Sequence, residues 1–211
     1  RGMRFLQMIK EAAGDAEVIA EDLGVVPGYV RPALAELGIA GMKVPQWEVQ
    51  EHSNDLIPAV DYPEISFETY ATHDHLPLKT QWEQNRAIVL GGDQDSGEYW
   101  EAWRFLHSLS VYAAVEWKEG EAPPDYDDGV REGLLETLLT SGSRHVGIMI
   151  TDLLGMTERI NTPGVAGDQN WTWRIPYSAA DLGKNPELVK MVDQVKKLLK
   201  ESDRVPRVSQ T

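Results

Sequence analysis

Cysteine is absent from the 211 residues. The chain therefore has no disulfide, no thiol nucleophile and no thiolate metal site, which agrees with a reducing, cytoplasmic location. A secretory signal pattern and any apolar run of transmembrane length are missing too. Positive charge is scarce: 20 Lys and Arg stand against 34 Asp and Glu, a formal net charge of -14. Such a chain repels phosphate, so neither nucleic acid nor an anionic membrane is an expected partner, and a neutral or cationic ligand fits better. Phenylalanine is down to three residues beside seven tryptophans. Trp combines flat apolar surface with an N–H donor, which suits sugar rings, although most Trp in any protein serve the core. Met is missing from the first position, which is Arg1, so a processed chain or a piece of a longer one is expected.

What is present is globular in type. Hydrophobic residues make up 42%, and this length can bury one core or two small ones. Met3, Phe5, Leu6, Met8 and Ile9 recur at helical spacing up to Gly14. "AEVIAEDLG" then reads as a short buried strand. "VPGYVRPALAELG" reads as a helix with Pro32 in its first turn and Gly38 at its end. "AGMKVPQW" and "ISFETYATHD" are further strands. The stretches from Leu76, from Glu98 to Val115 and from Val130 are helical, with the charged, Pro-rich "KEGEAPPDYDDG" between the last two. "HVGIMITDLLG" is a fourth strand, with Asp152 past its apolar centre. From Met156 to Tyr177 no period is visible, a length of structureless chain that points to function. A final amphipathic helix places Leu188, Val192, Val195 and Leu199 on one face. Strands alternating with helices imply βαβ units, a parallel sheet and an α/β fold. Four such units are half of a (β/α)8 barrel, whose catalytic residues sit at the carboxyl ends of strands, where Glu21, Asp74 and Asp152 fall in this reading.

From pattern alone Glu21 and Asp22 mark the start of a helix, where its dipole favours negative charge; acid–base chemistry is the sharper alternative. In "THDH", His73 and His75 flank Asp74. They could ligate a metal from one face of a strand end, or hold an ionised acid by hydrogen bonds. The second reading is favoured because no second His pair follows. "RINTPGVAGDQNWTWRIP" sets Arg159, Asn161, Asn170 and Arg174 beside Trp171 and Trp173. Polar forks next to flat rings suit a sugar, and an ordered surface loop anchored by Trp is the plain alternative.

Taken in order, "IAEDLG", "GMKVPQW", "YATHD" and "TDLLGMTERINTPGVAGDQNWTWRI" resemble the motifs of the amylomaltases, the 4-alpha-glucanotransferases of glycoside hydrolase family 77. The resemblance spans about Val18 to Ile175. It implies the C-terminal half of a TIM barrel, strands five to eight, filling residues 1–211, with a helical insertion at about 92–143 before the last strand. It implies retaining transfer of α-1,4-glucan segments between maltooligosaccharides, with no cofactor or metal. Glu21 falls on the family's general acid/base and Asp74 on its transition-state stabiliser. His73, Asp22, Asn161, Pro163 and Trp171 fall on substrate-binding positions. The family's nucleophile is an Asp in an Arg-x-Asp motif on the fourth barrel strand, and nothing before "EVIAEDLG" supplies it; Asp15 would lie on the wrong rim. The N-terminal half of the same barrel, or self-association, is therefore the expected protein partner. A non-catalytic glucan-binding or regulatory module is the alternative. The resemblance assigns no role to His75.

Overall fold

The structure, a computed structural model, describes residues 2–50, 52–53, 55–181 and 183–204. The chain divides into two compact units. One runs to Tyr70 and takes in Ser141–Gly147; the other holds Ala71–Thr140 and continues from Ile148.

The first unit contains the whole sheet. Helix α1 (Gly2–Ala13) ends where Gly14 turns left-handed at φ +59. Its apolar positions Phe5, Met8 and Ile9 stay more than half exposed. Strands β1 (Ile19–Ala20), β2 (Ala40–Lys43), β3 (Ser66–Glu68) and β4 (His145–Val146) lie side by side in that order, all parallel. Registers are Ile19 with Ala40, Met42 with Phe67, and Phe67 with His145. Helix α2 (Val30–Leu37) makes the β1–β2 crossover. Pro32 sits in its first turn, and the Gly38 N–H returns to the Leu34 and Ala35 carbonyls. Among the described residues no α-helix joins β2 to β3. Two 3-10 turns, Pro45–Trp47 and Ala59–Asp61, do so instead. Leu34 on α2, Ile39 and Val44, which flank β2, are buried, and α2 packs on β2. At the amino ends of the strands, Arg144 bonds Glu17 at 3.0 Å and Glu64 at 2.7 Å. The Arg144 hydrogen bond holds the Glu17 carboxyl below its ordinary range.

The second unit is helical. Helices α3 (Leu78–Gly91), α4 (Gly97–Tyr112) and α5 (Asp128–Thr140) precede β4 in the chain; α6 (Ile150–Leu153) and α7 (Pro186–Glu201) follow it. Ser96 caps α4 by accepting the Tyr99 N–H, and Asn185 caps α7 ahead of Pro186. Trp82, Leu106, Leu109, Leu134 and Leu138 are wholly buried. Helix α5 approaches the end of α4 closely: a Cβ on Gly133 would lie 2.2 Å from the Ala113 carbonyl oxygen. The Trp82 indole N–H donates to the Pro124 carbonyl at 2.9 Å and pins the Pro-rich loop. Trp103 stacks on His107 with centroids 4.6 Å apart and meets Trp117 at 5.6 Å. The facing sides of Trp103 and His107 therefore cover each other, while Trp117 meets Trp103 at a tilt of 41°.

Two expectations need correction. The fourth strand stops at Val146, because the chain passes Phe67 too closely for a side chain at Gly147, whose Cβ would lie 2.4 Å from that ring. Asp152 is then not at a strand end but inside α6, with its carboxylate on the first N–H of α3. In α7 the buried positions are Leu188, Met191 and Leu198, while Val192 is 45% exposed. Steps of three and four both keep an apolar face, and contact with α5 selects the face carrying Met191.

Candidate active site

Glu21 follows β1 directly, at the carboxyl end of the sheet, and is exposed. Asp22 is the opposite, with 4% of its side chain accessible. Its Oδ1 accepts the Met42 N–H of the neighbouring strand at 2.6 Å, and its Oδ2 accepts from Arg31 Nε at 3.1 Å. Room for this carboxylate exists because residue 41 is glycine; a Cβ there would lie 3.0 Å from Oδ1. Charge then alternates outward: Arg31 lies 3.9 Å from Glu48, and Glu48 accepts from Lys43 at 2.7 Å. The two adjacent acids thus divide their roles. Asp22 fixes the turn between strand and helix, and Glu21 is presented to solvent by a backbone that Asp22 holds. Sequence reading missed Arg31, Lys43 and Glu48, since isolated charges in a helix and a turn carry no motif.

Asp74, in the second unit, lies in a turn just before α3. Asn161 Nδ2 donates to its Oδ1 at 2.6 Å, and His73 Nε2 lies 3.3 Å from the same oxygen. Even so, 41% of the Asp74 side chain remains accessible, enough for a hydroxyl to reach it. Arg159 donates to the Asp74 carbonyl at 2.6 Å and to the Asn161 carbonyl at 2.5 Å. The His73 ring lies 4.9 Å from that of Trp171, which is exposed and held at φ +62, an uncommon conformation for a non-glycine residue. The Trp171 N–H is tied to the Ile160 carbonyl at 3.0 Å. Pro163 is exposed at the tip of a turn whose Val165 N–H returns to Thr162. Pro at its second position and Gly164 at φ +72 suit a type II turn. Asn170 braces that turn, accepting the Thr162 N–H at 2.9 Å and donating to the Val165 carbonyl at 2.7 Å. His73, Asp74, Asn161 and Trp171 are thereby brought together, with Pro163 on the same loop. Glu21 and Asp22 belong to the other unit.

His75 has a structural task here. Its Nδ1 accepts the Thr72 N–H at 3.1 Å and lies 2.8 Å from the Thr72 hydroxyl, closing the turn that carries Asp74. No group of three His, Cys, Asp or Glu that could hold a metal occurs among the described residues. Loss of the Thr72 bond, at about 1 kcal/mol, should speed exchange of the Thr72 amide about fivefold in His75→Gln. Asn places an acceptor near the Nδ1 position, so His75→Asn should exchange close to the parent rate by NMR. Equal acceleration in both variants would refute the acceptor role.

Burial pushes the Asp152 carboxyl up to about 6, against the lowering effect of the Leu78 N–H that it accepts at 2.7 Å. The Tyr126 phenol is pushed up first by its own burial and then by the charge of Asp152.

Parallel strands with a helical crossover give the first unit an α/β architecture with an acid directly after β1, and the second unit carries a carboxylate–amide–imidazole cluster of its own. The chain belongs to the 4-alpha-glucanotransferase family, glycoside hydrolase family 77, whose profile matches residues 1–180. It is 28% identical over 175 residues to the 4-alpha-glucanotransferase of Chlamydia caviae, covering 78% of this chain and 29% of that protein. With the chloroplastic/amyloplastic 4-alpha-glucanotransferase of Solanum tuberosum it shares 27% over 195 residues, 91% of this chain and 29% of the relative. In fold it is similar to an amylomaltase from Streptococcus agalactiae solved with acarbose (TM-score 0.62, 24% identity, 95% of this chain and 35% of that one). It is likewise similar to the amylomaltase of Corynebacterium glutamicum (TM-score 0.65, 23% identity, 90% and 30%). The chain spans about three-tenths of the length of the curated relatives it matches. No helix among the described residues is long and apolar enough to cross a membrane.

Proposed function

We propose that this chain supplies the acid/base and transition-state stabiliser of a 4-alpha-glucanotransferase, and that a complementary barrel half supplies the nucleophile. In this reading β1 to β4 are strands five to eight of the barrel, and residues of about 92–143 are an insertion. One observation carries it: the Asn161 amide on the Asp74 carboxylate at 2.6 Å joins two family motifs 87 residues apart in one cluster. Glu21, protonated, gives its proton to the glycosidic oxygen as that bond breaks, while the partner's carboxylate bonds to the anomeric carbon. Ionised, Glu21 then takes the proton of an acceptor hydroxyl, which displaces the carboxylate and restores an α-1,4 bond. Asp74, steadied by His73 and Asn161, accepts hydrogen bonds from hydroxyls of the flattened sugar ring. Trp171 and Pro163 offer the apolar surface beside it. Asp22, with both oxygens engaged, acts by placing Glu21. The exposed apolar positions of α1 are consistent with a further protein surface packing there.

Retaining transfer needs two carboxylates about 5 Å apart, and only one of them is assigned here. The chain by itself should therefore disproportionate maltotriose no faster than buffer. Co-expressed with the segment bearing the nucleophile, it should release glucose and longer maltooligosaccharides. Glucose release by the purified chain alone would overturn the division of labour. Glucan binding seen by Trp fluorescence, without product from the complete protein, would instead identify a glucan-binding module.

A further inference from the structure

Arg159 bridges the two halves of the Asp74 cluster through their backbone carbonyls, not through their side chains. Its Nη2 donates to the Asp74 carbonyl oxygen at 2.6 Å, and its Nε donates to the Asn161 carbonyl oxygen at 2.5 Å. Neither Asp74 nor Asn161 lies in a helix or strand. No ladder of backbone bonds fixes their separation, and the planar guanidinium spans both carbonyls instead. Side chain then meets side chain on the same two residues, Asn161 Nδ2 on Asp74 Oδ1 at 2.6 Å. The result is a closed circuit in which one residue sets both backbones at the spacing their side chains need. Trp171 is held separately, its N–H donating to the Ile160 carbonyl.

We propose that Arg159 is a positioning residue for glycosyl transfer, acting through the Asn161–Asp74 contact and never touching substrate. This rests on the reading of Asp74 as transition-state stabiliser. Lysine cannot replace it, because one ammonium on a flexible stem cannot hold two carbonyls in a plane. Asp74 contributes more in the transition state than in the bound substrate, so loosening it should lower kcat while leaving KM nearly unchanged. Displacements of about 1 Å at a reacting centre cost up to about 100-fold, so Arg159→Gln and Arg159→Lys should each lower kcat by about 10- to 100-fold.

The test uses the complete protein, with rates normalised to active sites and maltotriose as substrate. Kinetics of Arg159→Gln are compared in the parent and in an Asn161→Ala background. If Arg159 works through the Asn161–Asp74 contact, its loss costs less than about threefold once Asn161 is gone. A generally structural role would multiply the two losses and lower the melting temperature in step. Multiplicative losses, or kcat of Arg159→Gln within twofold of the parent, would overturn the proposal while leaving the transferase reading intact. A parent protein that neither transfers nor binds maltooligosaccharide would overturn both.

Discussion

In the complete protein, Glu21→Gln should lower maltotriose disproportionation by about a thousandfold, close to 4 kcal/mol of transition-state stabilisation. Glutamine keeps the shape and polarity of the side chain but can neither give nor take a proton. Glu21 is exposed beside β1, whereas its neighbour Asp22 is spent on Met42 and Arg31. The substitution therefore removes chemistry and leaves the brace of this turn intact, so folding should be unchanged. A donor with a good leaving group, such as a maltosyl fluoride, needs no proton to depart. With it the first step should survive and the glycosyl-enzyme should accumulate, because no base remains to activate the acceptor. Added azide, a nucleophile that needs no deprotonation, should then restore turnover. An unchanged rate with maltotriose would remove Glu21 from the mechanism, and a first step slowed equally with both donors would make it a binding residue.

Asp22→Ala tests the same division from the other side. It leaves the Met42 N–H without its acceptor and Arg31 with Glu48 alone, and the first loss costs about 1–3 kcal/mol at a buried amide. Pattern alone did not separate the two acids; the family resemblance put Glu21 at the acid/base and Asp22 at a substrate-binding position. The separation comes from Gly41 on the adjacent strand, which makes room for one carboxylate and not the other.

Legibility followed locality. Helix ends were readable because their signals are local: Gly14 and Gly38 adopt the left-handed conformation, and Asn185–Pro186 opens α7. The turn at Thr162–Pro163–Gly164–Val165 carries an equally local signal, but the sequence reading left it inside the aperiodic stretch from Met156 to Tyr177. The strands were found, but at two to four residues they are shorter than their apolar runs suggest. In a parallel sheet the apolar run continues into the loops that cover it, so hydrophobicity marks position and not pairing length. Grouping His73, Asp74, Asn161 and Trp171 came from family motifs, because no period links residues 87 apart. The struts Arg31 and Arg159 differ: each is a lone cation whose importance appears only when its acceptors are known. Asp152 was misplaced for a related reason. An acid after an apolar run reads equally as a strand end or as the first turn of a helix, and only contact with α3 decides.

Asp152→Asn should stabilise the protein by up to about 3 kcal/mol at pH 8 and by almost nothing at pH 4. Burial raises the folded-state carboxyl to about 6 from its ordinary 3.8, despite the Leu78 N–H, and that gap corresponds to about 3 kcal/mol. The sign follows from proton linkage. Between 3.8 and about 6 the folded state binds the proton that the unfolded state has released, so parent stability rises as pH falls through this window and is lower above it. Asparagine is neutral throughout and offers an oxygen to the same N–H, so it keeps the α3 cap without the buried charge. Urea unfolding at pH 4, 5, 6, 7 and 8 should show the two proteins diverging as pH rises. A constant difference, or a less stable variant at pH 8, would mean that the ionised carboxylate is compensated by partners other than Leu78. Helix α3 begins four residues after Asp74, so the same charge bears on the candidate site. If ionised Asp152 serves only to start α3, the variant should transfer glucan at near the parent rate. If transfer falls while stability rises, the buried charge is retained at a cost in stability because the Asp74 turn needs it.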